Sequence, residues 1–241
     1  MTAILKIWYS TLWDCHLKSK LNLKGENMEN IIICIGDSIT RGTYTAFGES
    51  APLSVAHPNF SELLKEKLSF DRLLNYGSNG ISYSSLSPVL SEDALTKKCA
   101  GFESGSIIVL AAGTNDYGTD VPLGKPTDET DISFYGAVDE VLHCLTERNP
   151  NGTIFVVLPI PRKQSGPNKQ GHTLDDYRKA LSQKAAKYGL PVIDGSRLDI
   201  DPSIPEQLKK YMPDGTHPNE TGHQMYAEFL YSEIEKHIKS L

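Results

Sequence analysis

Three residues of this chain have the types of a nucleophile, its base and the carboxylate that orients the base. Ser38 stands in Gly36-Asp37-Ser38-Ile39-Thr40, directly behind the apolar run Ile31–Ile35. Asp214 and His217 stand in Asp214-Gly215-Thr216-His217, ahead of a long amphipathic stretch. A serine hydroxyl needs a base to attack, and the base needs a carboxylate to fix its tautomer and favour the imidazolium formed during attack. A short loop lets Asp214 accept from one ring nitrogen of His217 while the other faces a hydroxyl. Taken singly, each has a plainer reading: Ser38 as a helix cap, Asp214 as a turn cap, His217 as an exposed loop residue. Gly77-Ser78-Asn79-Gly80 and Gly113-Thr114-Asn115-Asp116 also follow strand-like runs. Gly80 can offer a backbone N–H that no side chain obstructs, and the Asn115 amide can donate to a developing oxyanion. Both segments also suit ordinary turns.

Such residues work only if a fold brings them to one place. Apolar, β-rich runs recur at Ile31–Ile35, Leu73–Tyr76, Ile107–Ala111, Ile154–Leu158 and Pro191–Ile193. Helix-period segments lie between them. Asn59 followed by Glu62 is a capping-box pattern with Phe60, Leu63, Leu64 and Leu68 behind it. Phe134, Val138, Val141, Leu142 and Leu145 form a second stripe, and Thr173 can cap a helix from about Leu174 to Tyr188, ended by Gly189. Tyr226, Leu230, Ile234 and Ile238 form an i+4 row, widened by Met225 and Phe229. Strands alternating with helices predict an α/β fold, a parallel sheet covered on both faces. Right-handed crossovers then bring the strand C-termini to one edge, where ligands bind in open α/β sheets. Ser38, Gly80 and Asn115 each follow a strand end. The segments Tyr117–Asp131 and Arg162–His172 leave strand ends as well and should rim the site.

The chain has 241 residues with 39% apolar and 22% charged side chains and a net charge of −6, the profile of an ordinary globular protein. The charge argues against general nucleic-acid binding but leaves room for a local basic pocket. The four cysteines contain no CxxC pair, which disfavours structural zinc. Cys34 and Cys144 read as small buried hydrophobes. No apolar run approaches the roughly 20 residues that span a bilayer, and the N-terminus lacks a small-residue cleavage site, so a cytoplasmic protein is expected. Gly118 to Lys125 lacks the glycine spacing and the Ser/Thr of a phosphate loop. Asp214, His217 and His223 lack a helical metal-ligand spacing. No GxSxG occurs, so the nucleophile elbow of α/β-hydrolases is absent.

The four blocks GDSIT (36–40), NYGSNG (75–80), GTND (113–116) and DGTHPN (214–219) together resemble those of the SGNH hydrolases, the GDSL-type esterases and lipases. Order and spacing match, and the resemblance covers about residues 31–240. It implies a flavodoxin-like α/β/α sandwich with five parallel strands in the order 2-1-3-4-5, and no metal cofactor. By motif position it implies Ser38 as nucleophile, Asp214 and His217 as acid and base, and Ser38 N–H, Gly80 N–H and the Asn115 amide as oxyanion donors. The first block here ends in Ile-Thr rather than Ser-Leu, which leaves the serine's role intact. Asp37, Tyr117 and Arg162 are expected to contact substrate, although Arg162 also reads as a solvated loop arginine.

The expected activity is hydrolysis of carboxylic esters, with short acyl groups, acetyl first, on a polar or carbohydrate-like alcohol. No long apolar insertion could form a lid or tunnel, and both rim segments are polar. The alternatives are a lysophospholipase or thioesterase for longer chains, acyl transfer to a sugar hydroxyl, and a ligand-binding protein without turnover. A small-molecule or carbohydrate ester is the expected partner, with neither nucleic acid nor a membrane span.

Residues 1–27 form an extension before the domain of residues 28–241. Leu5, Trp8, Tyr9 and Leu12 permit a short amphipathic helix, which could dock on the domain or on a second copy and so make a homo-oligomer. Deleting residues 1–27 is expected to leave esterase turnover intact, since every chemical block lies beyond them. A fall in melting temperature or a change in oligomeric state would reveal docking, and loss of all soluble protein would place the segment in the core.

Overall fold

The computed structural model describes residues 30–46, 52–89 and 91–241. The expectations for residues 1–27 lie outside this range. The isoleucine-rich run becomes strand β1, Ile31–Gly36, buried along its whole length. Its pleat divides the side chains between two cores: Ile31, Ile33 and Ile35 on one face, Ile32 and Cys34 on the other. A strand covered on both faces needs such a continuous apolar run rather than alternation. Burial also pushes the Cys34 thiol pKa far above its ordinary value. Cys144 differs from the expectation, because it is only partly buried at the margin of its core.

Strands β4 (Arg72–Gly77), β5 (Ile107–Ala111), β6 (Thr153–Val157) and β7 (Val192–Ile193) complete a sheet of order β4-β1-β5-β6-β7. All four pairings are parallel. The topology is the expected five-stranded one, with small differences at the ends. Leu158 lies past the end of β6, although its N–H still donates to Ile193 O at 2.9 Å. Pro191 contributes only its carbonyl, to Val156 N–H, because proline has no N–H to give.

Helices Phe60–Lys67 and Glu220–Ser240 cover one face, and helices Phe134–Arg148 and Leu174–Lys187 the other. The capping box closes as expected: Asn59 accepts from the N–H groups of Ser61 and Glu62, and Glu62 accepts from Asn59 N–H at 2.7 Å. Tyr226, Leu230, Ile234 and Ile238 are all buried on the last helix. At about 1.5–3 kcal/mol for each fully buried large side chain, this stripe is a main anchor of that face.

An antiparallel ribbon, β2 (Thr43–Thr45) with β3 (Leu53–Val55), was not expected from the sequence. It follows the four-residue helix Ser38–Arg41 and forms a separate two-stranded sheet. Three-residue strands carry too little periodicity to be read in advance.

The loop after β4 is held by two carboxylates. Asp116 is fully buried and accepts the N–H groups of Tyr83 and Ser84, both at 3.0 Å. Asp131 accepts from Ser85 N–H at 2.8 Å, from the Ser84 hydroxyl and from the Thr96 hydroxyl at 3.0 Å. Asn115 donates to Ile81 O at 2.9 Å. Burial drives the Asp116 pKa from the ordinary 3.8 to about 7, opposed by the two N–H donors and aided by the charge of Asp131. A carboxyl whose folded pKa lies above its unfolded value binds more protons when folded, so its contribution to stability falls as pH rises from about 4 to 7. The variant Asp116→Asn removes that dependence. The stability gap between wild type and variant, from urea melts, is expected to widen in favour of wild type on acidification from pH 7 to 4. The expected change is about 1.4 kcal/mol for each unit of raised pKa; parallel pH curves would contradict the assignment.

Candidate active site

Ser38 opens a four-residue helix, Ser38–Arg41, at the end of β1. Asp37 is its N-cap and accepts from Ile39 N–H at 2.9 Å. Gly42 ends it in the left-handed region at φ 91°. The turn is seated by contact: a Cβ on Gly77 would lie 2.3 Å from Arg41 N, so only glycine lets the end of β4 meet this backbone. Asn75 donates to Thr40 O at 2.8 Å and accepts from Gly77 N–H at the same distance, which ties β4 to the turn.

The Ser38 hydroxyl lies 2.8 Å from His217 Nε2, and His217 Nδ1 lies 2.9 Å from Asp214 Oδ2. If the ring carries its proton on Nδ1, Nε2 is free to accept from the serine. Asp214 Oδ1 accepts the N–H groups of Thr216 (2.9 Å) and His217 (2.8 Å), and Oδ2 also accepts Thr45 N–H from the ribbon at 3.1 Å. Gly215, at φ 81°, makes the turn between the carboxylate and the histidine. Burial raises the Asp214 pKa, but the His217 bonds and the Thr216 N–H outweigh it and bring it to about 2. Asp214 is therefore an anion across the neutral range, able to orient an imidazole and balance its positive charge.

Gly80, Ser38 and Asn115 lie just beyond the ends of three neighbouring strands, β4, β1 and β5. Among the described residues nothing accepts the N–H of Ser38 or of Gly80, and Asn115 has one amide hydrogen left beyond its bond to Ile81 O. Gly80 takes φ 78°, a conformation that suits glycine. Thr43 in the ribbon donates to Asn79 Oδ1 at 2.8 Å, beside Gly80. The ribbon thus braces both the Gly80 turn and Asp214. Asp116, Asp131, Thr43 and Thr45 are supports that the sequence reading missed. Asp116 offered one signal, as a carboxylate directly beside Asn115.

The three residues expected to contact substrate are placed differently from one another. Asp37 is 2% exposed and points into the protein as a helix cap. Burial raises its pKa to about 6, against the Ile39 N–H bond and the nearby charges of His217 and Arg162. Tyr117 is also buried, its hydroxyl donating to Gly166 O at 2.7 Å. Neither presents a free polar group to a ligand. Arg162 is half-buried, donates to Thr114 beside Asn115, and is within reach of the charges of Asp37 and Asp214. His223, the third member of the rejected metal set, accepts from Phe60 N–H and stacks on that ring, with its pKa lowered by burial to about 3. Among the described residues no helix is long and apolar enough to cross a membrane.

The sequence matches the family model of the GDSL-like lipase/acylhydrolase family over residues 34–225. A search of curated protein sequences found no significant match. Among solved structures, a Lactobacillus plantarum protein is 26% identical, with a TM-score of 0.73, covering 88% of this chain and 99% of its own. An aryl esterase of M. smegmatis is 18% identical, with a TM-score of 0.60, covering 86% and 99%. A lipase/acylhydrolase of Enterococcus faecalis is 20% identical, with a TM-score of 0.56, covering 86% and 96%. The last two likenesses speak to the fold; the family match, spanning all four blocks, speaks to the chemistry. The chain belongs to the GDSL-like lipase/acylhydrolase family and is an ester-hydrolysing enzyme.

Proposed function

We propose that Ser38 is the nucleophile of this esterase, with His217 as base and Asp214 as its orienting acid. The observation that carries the proposal is the unbroken chain from Ser38 Oγ to His217 Nε2 at 2.8 Å and from His217 Nδ1 to Asp214 Oδ2 at 2.9 Å. His217 takes the serine proton as Oγ attacks the ester carbonyl. The tetrahedral oxyanion is held by Ser38 N–H, Gly80 N–H and the Asn115 amide. His217 then protonates the departing alcohol, and water releases the acyl group by the same steps in reverse. The domain that performs this comprises residues 28–241, with residues 1–27 as an N-terminal extension outside it.

The proposed substrate is a short acyl ester, acetyl first, of a polar or carbohydrate-like alcohol. A long acyl chain needs contiguous apolar surface to gain about 0.8 kcal/mol per buried methylene. Of the five apolar side chains that could have supplied it, Leu86 is exposed and the other four are occupied elsewhere. Ile81, Tyr83 and Tyr117 are buried in the core, and Tyr76 packs against Phe102 with ring centres 4.7 Å apart. The rim is polar instead: Asp120, Arg162, Lys163, Gln164, Asn168 and Lys169 border an open depression of about 660 Å³.

Ser38→Ala and His217→Ala are each expected to lower kcat by about 10³-fold or more with folding retained, and the double variant to be little worse than either. Asn115→Ala is expected to lower kcat by about 10²–10³ with little change in KM, because the donor acts on charge that appears in the transition state. Activity of Ser38→Ala within tenfold of wild type would remove Ser38 from its role. With nitrophenyl esters from acetyl to decanoyl, kcat/KM is expected to fall as the chain lengthens; a steady rise would point to a lipase or thioesterase.

A further inference from the structure

Arg162 is a half-buried cation without a carboxylate partner. Its Nη1 donates to Thr114 O at 3.2 Å and to Thr114 Oγ1 at 3.1 Å. Its guanidinium lies over the Tyr117 ring, 5.5 Å from the centroid. Gly118 leaves it space, since a Cβ there would lie 3.2 Å from Nη1. These contacts fix the plane of the group. None of them neutralises it, and among the described residues no Asp or Glu oxygen lies within 4.0 Å of it. Burial lowers its pKa, while the charges of Tyr117, Asp37 and Asp214 raise it, so the site carboxylates feel it without bonding to it. Both already have donors of their own, Asp37 from Ile39 N–H and Asp214 from four N–H groups.

The position is as telling as the lack of a partner. Thr114, which holds the guanidinium, is the neighbour of Asn115. Lys163, next in the chain, donates its N–H to Gly215 O at 2.7 Å, within the Asp214–His217 loop. Arg162 therefore stands between the proposed oxyanion donor and the proposed acid–base pair. It faces the open depression that Lys163 and Lys169 also border, against a single carboxylate, Asp120, which pairs with Lys169 at 3.4 Å. The loop carrying Lys169 is itself pinned: Asn168 donates to Tyr117 O and Lys169 N–H to Asp120 Oδ1.

Partly burying a charge without a partner costs stability. A ligand anion repays that cost only when it is bound, and a fixed guanidinium matches a carboxylate or phosphate through two parallel N–H bonds. We propose that Arg162 is the binding group for an anionic function, a carboxylate or phosphate, carried by the substrate on its acyl or alcohol side. This rests on the ester-hydrolase reading of Ser38 and narrows its substrate to charged polar esters. Arg162 is here a specificity residue that touches substrate and takes no part in bond making.

Two matched pairs of esters test it on the full chain. 4-Nitrophenyl hemisuccinate against 4-nitrophenyl pentanoate puts the charge on the acyl side. 4-Acetoxybenzoate against 4-methylphenyl acetate puts it on the alcohol side. The wild-type enzyme is expected to favour the charged member of one pair by about tenfold or more in kcat/KM, the size of one charge-assisted hydrogen bond. Arg162→Gln is expected to abolish that ratio, mainly through KM, and Arg162→Lys to keep part of it. Equal rates for both members of both pairs in wild type would overturn the proposal, as would a ratio that survives Arg162→Gln. An equal loss on charged and neutral esters in Arg162→Gln would also overturn it, because it would make Arg162 a loop brace. If Arg162→Gln does not fold, calorimetric titration of Ser38→Ala with both pairs of esters reads the same preference, and equal affinity within both pairs refutes it. Ser38-dependent hydrolysis of the neutral esters tests the ester-hydrolase reading separately.

Discussion

The site depends on one close approach of backbones. The Ser38 turn is wedged between the ends of β4 and β5 with no space for a side-chain carbon on either side. A Cβ on Gly36 would lie 2.1 Å from Ala111 O, and one on Gly77 would lie 2.3 Å from Arg41 N. Well-packed interiors transmit such contacts rather than absorb them. The position of Ser38 is therefore set by the register of three parallel strands and not by the turn alone. The same register puts Gly80 and Asn115 one strand away on either side, because their turns leave the same edge of the sheet. The Ser38, Gly80 and Asn115 turns share that edge because the strands in a parallel sheet all end in the same direction.

The histidine arrives differently. It comes from a loop with no strand beneath it, and its carboxylate compensates for that. Asp214 gathers four N–H groups, two from its own turn, one from the imidazole and one from Thr45 in the ribbon. Lys163 adds a fifth tie through Gly215 O. These bonds fix the loop's geometry where no strand does. The low Asp214 pKa follows from the same bonds, since each donor favours the anion. Precision and charge at this end of the site have one cause.

The parts of this arrangement that follow short-range rules were legible in the sequence. Ile31–Ile35 declared a strand buried on both faces, Asn59 and Glu62 declared a helix start, and the row from Tyr226 to Ile238 declared the face of the last helix. The four blocks could be placed at strand ends because each followed an apolar run. What stayed hidden depends on pairs far apart in the chain. Thr45 meets Asp214 across 169 residues, and Thr43 meets Asn79 across 36. Nothing local in Thr43-Tyr44-Thr45 marks it as a strand. Burial is the other hidden variable. Asp37 and Tyr117 had the side chains of binding groups, but the fold turned both inward, one as a cap and the other into the aromatic packing around Tyr177.

Burial also separates three acidic residues that look alike in sequence. Asp37, Asp116 and Asp214 each stand within one of the blocks and next to a residue of the proposed site or its loop. Asp37 and Asp116 lie deep, where desolvation outweighs their backbone donors and raises their pKa values to about 6 and 7. Asp214 lies nearer the surface, where the donors outweigh desolvation and its value falls to about 2. The two deep carboxyls serve as acceptors that hold loops, a role that survives partial protonation because hydrogen bonds to a neutral acid remain available. The shallow one must carry a full charge beside an imidazole, and only its environment permits that through the neutral range. The fold thus assigns a supporting or an electrostatic task to each carboxyl by depth, while Arg162, half-buried on this edge, has no carboxylate partner among the described residues.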